Sequence, residues 1–182
     1  RSLSIKSDLV RLAPTDRDLR TDLAQTWAWM ADVETEGGHY KAAIELRQKE
    51  RATYQALLAD RPTDLLLQTY MVVNRRTVAQ IFHEQGREAE AIGESRAASK
   101  AAAILVASDA RNALYRQQLA ASLVSEGEVC LEAGNRVWAE QVARQALSEA
   151  ERLRQIDPSV VAWSGTLLGG ARVLQIRLNL SA

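Results

Sequence analysis

The chain has 182 residues, and 47% of them are hydrophobic, so it is long enough and apolar enough to bury a core. Its 23 basic and 23 acidic residues balance, which gives no electrostatic footprint for binding nucleic acid or an anionic membrane surface. No apolar run reaches the length of about 18 residues that a transmembrane helix needs, and no signal peptide is visible.

Glycines and prolines recur along the chain at a constant spacing. A step of 48 residues separates Gly38 from Gly86, and the same step separates Gly86 from Gly134. Other columns keep this step, namely Pro14, Pro62, Ala110 and Pro158, and also Leu9, Leu57, Leu105 and Leu153. A fixed period of about 20–50 residues is typical of a solenoid, in which stacked helical or strand units bury a shared core.

The glycine and proline columns divide the chain into helices. Proline follows a helix end, the Thr, Asp or Ser after it caps the next helix, and glycine just past a helix supplies a left-handed cap. The predicted helices span residues 2–13, 16–36, 39–60, 64–85, 87–108, 111–133, 135–156 and 159–180. If the helix before each glycine is called A and the helix after it B, the order is B, A-B, A-B, A-B, A. We therefore expect one repeat array with a half repeat at 1–15, full repeats at 16–63, 64–111 and 112–159, and a half repeat at 160–182.

Apolar residues within each predicted helix form a single stripe. In the first A helix this stripe contains Leu19, Leu23, Trp27 and Met30, at steps of four, four and three residues. Adjacent repeats are expected to bury such stripes against one another, because one repeat alone cannot. Trp29 and Trp138 lie off the main stripes. They either pack between long helices or stay partly exposed as anchors for a partner.

The first repeat follows a known motif through Trp27, Ala31, Gly38, Tyr40 and Ala43. The later copies keep part of it, with Ala79, Gly86, Ala91 and Ile92, and then Leu123, Gly127, Gly134 and Ala139. In this pattern the chain resembles the tetratricopeptide-repeat superfamily over nearly its whole length, with a longer repeat than the usual 34 residues. The resemblance implies an all-α, right-handed solenoid of about eight antiparallel helices. It also implies a non-catalytic scaffold for protein–protein interaction, of the kind found in larger bacterial regulatory and signalling proteins.

In that superfamily the A helices line a concave groove that receives a peptide or a partner helix. Carried over to this chain, the groove positions are Asp32, Thr35, Glu36, Arg76, Gln80, His83, Glu84, Glu128 and Glu132. The resemblance thus implies a polar groove, acidic at its glycine-turn end, for a basic or neutral protein segment. The alternative interpretation of the same residues is a solvated helix face without a ligand.

The last predicted helix carries apolar residues where earlier A helices carry acidic ones. Ile176 and Leu180 take the places of Asp32 and Glu36. Together with Leu168, they predict a surface for self-association, such as a homodimer formed through the C-terminal helix. An apolar end without a partner is the alternative.

The sequence contains no recognised catalytic or cofactor motif. It has no Gly-x-Ser-x-Gly elbow, phosphate loop or dinucleotide fingerprint, and its two histidines and one cysteine supply a zinc site poorly. Cys130, the single cysteine, is expected to be a small buried hydrophobe, and its isolation favours a cytoplasmic setting. We therefore expect no enzyme activity, metal or cofactor. A structural spacer or dimerisation element is the second hypothesis, and an enzyme with an unrecognised site is the third.

Overall fold

The structure, a computed structural model, describes residues 2–180, and the side chains of all of these except 2, 162, 164 and 180. Over this range it is 86% helical and contains no strand. The helices are α1 (Ser2–Leu12), α2 (Arg17–Glu36), α3 (Tyr40–Asp60), α4 (Leu65–Glu84), α5 (Glu88–Ser108), α6 (Ala113–Glu132), α7 (Arg136–Ile156) and α8 (Leu168–Leu180). The predicted all-α class and the number of helices are confirmed. The chain divides between Asn74 and Arg75, within α4, into two compact units that are described separately.

The three turn glycines adopt the backbone conformation that their positions predict. Gly38, Gly86 and Gly134 have φ values of 75°, 70° and 76°, in the left-handed region where a Cβ atom causes strain. In each turn the amide of the next residue donates back to a carbonyl in the last turn of the A helix, through the pairs His39 to Glu34, Arg87 to Phe82 and Asn135 to Cys130. This is the bonding of a Schellman cap, and it ends α2, α4 and α6 in the same way.

The A helices begin at capping residues that share the 48-residue step. The side chain of Asp16 accepts from the amide of Leu19 at 3.0 Å, and Asp64 and Asn112 cap α4 and α6 in the same manner. Val160 takes this position in the last repeat and has no side-chain acceptor. The last A helix accordingly starts irregularly, as a π-helical segment over Ala162–Leu167, before α8 begins. This explains why the predicted start at residue 159 is too early.

The first unit buries an aromatic and aliphatic cluster between α2, α3 and the start of α4. Its fully buried members are Ala24, Tyr54, Leu57 and Leu67. Tyr54 stacks on Tyr70 with 5.4 Å between the ring centroids, so α3 and α4 are joined by an aromatic pair.

A buried polar network lies beside this cluster, and it was not predicted. Arg47 and Glu50 are each 3% exposed, and Asn74 is fully buried. Arg47 donates to the Glu50 carboxylate at 2.8 Å, and the Asn74 amide donates to the same carboxylate at 2.8 Å. Burial raises the pKa of Glu50, and the Arg47 charge opposes that rise. These hydrogen bonds join α3 to α4, although the buried Nε of Arg47 has no hydrogen-bond partner among the described residues.

In the second unit α6 packs against α5, α7 and α8. Leu105 and Cys130 are buried, as predicted from the stripes. Gly127 of α6 faces Leu174 of α8 and Val142 of α7 so closely that a methyl group added there would overlap the Leu174 side chain. α6 can therefore approach α7 and α8 this closely only because residue 127 has no side chain.

We expect Gly127→Ala to destabilise the fold by roughly 1–3 kcal/mol, because Leu174 is fully buried and overpacking a core has this cost. The control is Gly93→Ala in α5, where nothing lies within 4 Å of the added methyl group. That change should stabilise the fold by about 0.5–1 kcal/mol through helix propensity. Urea denaturation followed by circular dichroism measures both. Equal effects of the two substitutions would contradict the close packing at Gly127.

Candidate functional site

Side-chain contacts link the A helices of the second unit along one face. Arg76 lies on α4 just after the boundary between the two units, and it donates to the Gln118 side chain of α6 at 3.2 Å. At the other end of α4, His83 Nε2 lies 2.6 Å from a carboxylate oxygen of Glu132 on α6. The second oxygen of Glu132 accepts from Arg177 of α8 at 2.8 Å. We call the side of α4, α6 and α8 that carries these contacts the A face.

The A face brings together most of the groove residues predicted for this unit. The charges of His83 and Glu132 both act on the pKa of Glu128, which lies one helical turn before Glu132 on α6. Gln80 donates to the exposed Glu84 at 3.1 Å on the outer surface of α4. Arg76 is half-buried, and its burial lowers the pKa of its guanidinium. Glu128 and Glu132 lie one turn apart near the end of α6, and that they line a groove together with Glu84 stays a prediction.

His83 sits between two carboxylates. Its Nδ1 lies 3.2 Å from Glu88 at the start of α5, opposite the Glu132 contact of Nε2. Burial works against a charged imidazole, but the hydrogen bonds and charges of Glu88 and Glu132 outweigh it, so the pKa of His83 is raised. In its protonated form His83 donates to both carboxylates and joins the end of α4 to α5 and α6.

The two carboxylates on α6 differ in their surroundings. The hydrogen bond from Arg177 holds the pKa of Glu132 below its usual value. Burial raises the pKa of Glu128, and the nearby charge of Glu132 raises it further, while Arg177 opposes the rise. Glu132 is thus an ionised anchor, whereas Glu128 is the group that gains most from an additional cation.

Two of the three groove residues predicted in the first unit have local partners. Asp32 forms an ion pair with the buried Arg47, although its own side chain is 54% exposed. The Thr35 hydroxyl donates to the carbonyl of Ala31 in its own helix at 2.8 Å, and Glu36 is exposed. That these three residues share one groove with the A face stays a prediction.

The predicted self-association surface needs a correction at Leu168. This residue is 3% exposed and packs in a core cluster with Ala120, Ala150, Leu153 and Leu167. Its column gives the reason, since Ala120, Val72 and Ala24, which lie one, two and three repeats earlier, are all buried. Ile176 is 56% exposed, as expected, and Val173 beside it is 53% exposed. The side chain of Leu180 lies outside the described part of the chain.

Gln118 and Arg177 belong to the A face, Glu88 of α5 contacts its His83, and the sequence analysis missed all three. Two of the contacts join residues of neighbouring A helices at separations of 42 and 45, slightly less than one period. A search for polar pairs at that separation would have found both. Glu88 lies one repeat after Tyr40, at a motif position that the resemblance does not assign to the groove.

A second groove, of about 450 Å³, lies between α5, α6 and α7. On its border the Trp138 indole donates to the buried Glu126 at 2.5 Å, and the Arg96 guanidinium lies 4.6 Å from the Trp138 ring centroid. Trp138 is therefore held by packing and polar contacts. Trp29 of the first unit is the opposite case, with 77% of its surface exposed.

Within residues 2–180 no group of three or more His, Cys, Asp or Glu side chains is placed to hold a metal ion. Across the same range no helix has the length and apolar character to cross a bilayer. No protein-family model, no curated protein and no solved structure matches the chain.

The raised pKa of His83 predicts a pH-dependent contribution to stability. The unfolded imidazole titrates near 6.5, so the stabilisation is fully present below that pH and is lost as the pH rises through the higher folded pKa. We expect His83→Gln to lower the urea midpoint at pH 6 and to have a smaller effect at pH 9. His39→Gln in the first unit, where the ring is 71% exposed, is the control. A loss for His83→Gln that is the same at both pH values would contradict a stabilising contact of protonated His83 with Glu88 and Glu132.

Proposed function

We propose that this chain is the repeat region of a larger bacterial regulatory or signalling protein, and that it binds protein partners without catalysis. Its helices would stack antiparallel in a right-handed, tetratricopeptide-like solenoid. The proposal draws on the motif residues, the 48-residue register and the left-handed glycine turns. The observation that carries it is the A face, where three A helices present linked polar side chains toward one side.

The charge of the A face favours a basic partner segment. Glu128 and Glu132 lie near the end of α6, Glu84 is the last residue of α4, and Glu132 already has a guanidinium partner in Arg177. Glu84 is exposed and its oxygen accepts a neutral amide. A lysine or arginine of a partner would therefore meet Glu84 and Glu128 as the carboxylates with most to gain from a cation.

A peptide titration tests this proposal. Three fluorescent peptides of equal length, with net charges of about +4, 0 and −4, are titrated into the protein at low and high salt. The basic peptide should bind best at low salt, because screening weakens exposed charge pairs. Glu84→Gln and Glu128→Gln should each weaken its binding about two- to fivefold, the range expected for exposed ion pairs.

The matched control is Glu151→Gln on α7, which removes an acidic charge outside the A face and should leave the affinity unchanged. Equal binding of all three peptides would contradict a charge-selective face. Loss of affinity in the control variant as large as in Glu84→Gln would assign the effect to overall charge.

Self-association through α8 is the second candidate function. Val173 and Ile176 are spaced three residues apart on this helix and are both more than half exposed. Two such residues on one helix face form an apolar strip that a second copy could cover.

Light scattering over a range of protein concentrations tests this second candidate. We expect the apparent mass to rise with concentration and Ile176→Glu to keep the protein monomeric. Ile104→Glu is the matched control, because Ile104 on α5 is 66% exposed and lies on another helix. A monomer at every concentration would remove the self-association hypothesis.

A further inference from the structure

The groove of about 450 Å³ between α5, α6 and α7 has the size and the lining of a ligand site. Clefts that hold small molecules usually measure about 300–1,000 Å³ and combine an apolar lining with a few polar groups. Leu119 and Leu123 of α6 and Val142 of α7 supply apolar side chains here, and polar side chains of α5 and α7 lie beside them. The lining residues lie between residues 96 and 152, within the second unit.

The two carboxylates of the lining already have partners. Glu126 is 2% exposed, and it accepts a hydrogen bond from the Trp138 indole at 2.5 Å. Glu149 accepts from Arg116 at 2.7 Å and from Arg152 at 2.8 Å. A cationic occupant of the groove would have to compete with these contacts, so the carboxylates do not favour a basic ligand.

The donors of the lining are less well satisfied than the carboxylates. Lys100 is exposed and forms no ion pair within residues 2–180. Ser99 beside it is 6% exposed, and its buried hydroxyl has no hydrogen-bond partner among the described residues. The buried Nε of Arg96, one turn before Lys100 on α5, also lacks a hydrogen-bond partner in that range. Because buried donors are normally paired, and charge-assisted hydrogen bonds are the strongest, these three side chains favour an anion.

The apolar floor of the groove belongs to this repeat and does not follow from the repeat pattern. Leu123 and Val142 are 5% and 2% exposed and pack in one core cluster. One repeat earlier the same two positions hold Arg75 and Glu94, which form an ion pair at 3.1 Å. Where that repeat has paired charges, this groove therefore offers apolar contact beside unpaired donors.

We propose that this groove binds a small organic anion with an apolar body, such as an aliphatic carboxylate. Its carboxylate lies between Arg96 and Lys100, and its apolar body lies against Leu119 and the floor residues Leu123 and Val142. The low exposure of the floor favours a single carbon chain over a helix of an acidic protein. The groove shares no residue with the A face, so this proposal and the proposed function can fail independently.

A matched set of small molecules tests the site. Octanoate is the probe, 1-octanol keeps its chain without the charge, octylammonium reverses the charge, and acetate keeps the charge without the chain. Each is titrated into protein labelled with 5-fluorotryptophan and followed by fluorine NMR. The four tryptophan resonances are assigned by single substitutions with phenylalanine.

We expect octanoate to shift the Trp138 resonance saturably, with a Kd on the order of 1 mM for a ligand of this size. Trp163 of the same unit donates to Gln117 away from the groove lining, so its resonance should stay in place. 1-Octanol should bind about three- to tenfold more weakly, because it lacks the charge that Lys100 and Arg96 meet. Acetate and octylammonium should give no saturable shift at the same concentrations.

Lys100→Gln separates the contribution of the carboxylate from that of the chain. It should weaken octanoate about three- to fivefold and leave 1-octanol unchanged, since only the anion loses a partner. Lys49→Gln on α3, another exposed lysine, is the matched control and should change neither affinity. Equal weakening of octanoate and 1-octanol by Lys100→Gln would overturn the proposed position of the carboxylate.

A second pair of variants tests the place of the ligand. Ala103 is exposed and lines the groove, so Ala103→Glu should abolish the octanoate shift by repelling the anion. Ile104→Glu should preserve the shift, because this next residue is turned by about 100° around α5 and is 66% exposed. Identical effects of the two variants would place the bound octanoate elsewhere and overturn the assignment.

The probe series itself has three outcomes that would overturn the proposal. These are the lack of a saturable Trp138 shift with octanoate, equal affinity for octanoate and 1-octanol, and equal affinity for octanoate and acetate. The acidic peptide of net charge about −4 is titrated in parallel. If that peptide shifted Trp138 and octanoate did not, the groove would be a site for a protein segment and not for a small molecule.

Discussion

The left-handed turns at Gly38, Gly86 and Gly134 are the constraint on which the register of this chain depends. Each turn ends an A helix by returning an amide to its last carbonyls, and the following B helix begins at residue 40, 88 or 136. A shift of one residue at such a turn would rotate every later side chain of the helix by about 100°. Core leucines, small contact residues and polar clusters then could not recur at the same step.

Features that repeat were predictable from the sequence, and features that occur once were not. Glycine turns, capping residues and apolar stripes each recur every 48 residues, with Gly86, Asp64 and Leu105 as examples. One sequence therefore contains several copies of each pattern. The network around Glu50 occurs in one repeat and joins residues 24 and 27 apart, a pairing that only the approach of α3 to α4 creates. For the A face, the repeat phase predicts that His83 and Glu132 lie on one side. The contacts of Arg177 with Glu132 and of Gln118 with Arg76 depend on the lateral spacing of the A helices, which the repeat phase does not determine.

The ion pairs of the A face influence how it can be used. Glu132 holds His83 with one oxygen and Arg177 with the other, so it ties α4 and α8 to α6. A cationic ligand that competed for Glu132 would have to replace contacts that already satisfy it. Glu84 and Glu128 take no part in these ion pairs, so under the proposed function they would accept a cation without loosening the helices. In that proposal the residues that join the helices differ from the residues that receive the partner.

The buried triad of Arg47, Glu50 and Asn74 has a consequence for the modularity of the chain. One repeat later the same three positions hold Ser95, Ala98 and Ser122, and two repeats later they hold Ala143, Ala146 and Gly170. Each joint between a B helix and the next A helix is thus keyed differently, by charge in one and by small size in the others. Shuffled copies would place a serine or glycine opposite the Arg47 carbonyl and the Glu50 carboxylate, which would then lose the amide donor that Asn74 supplies here. Although the period is constant, exchanging the repeats would therefore break hydrogen bonds that belong to one pair of helices.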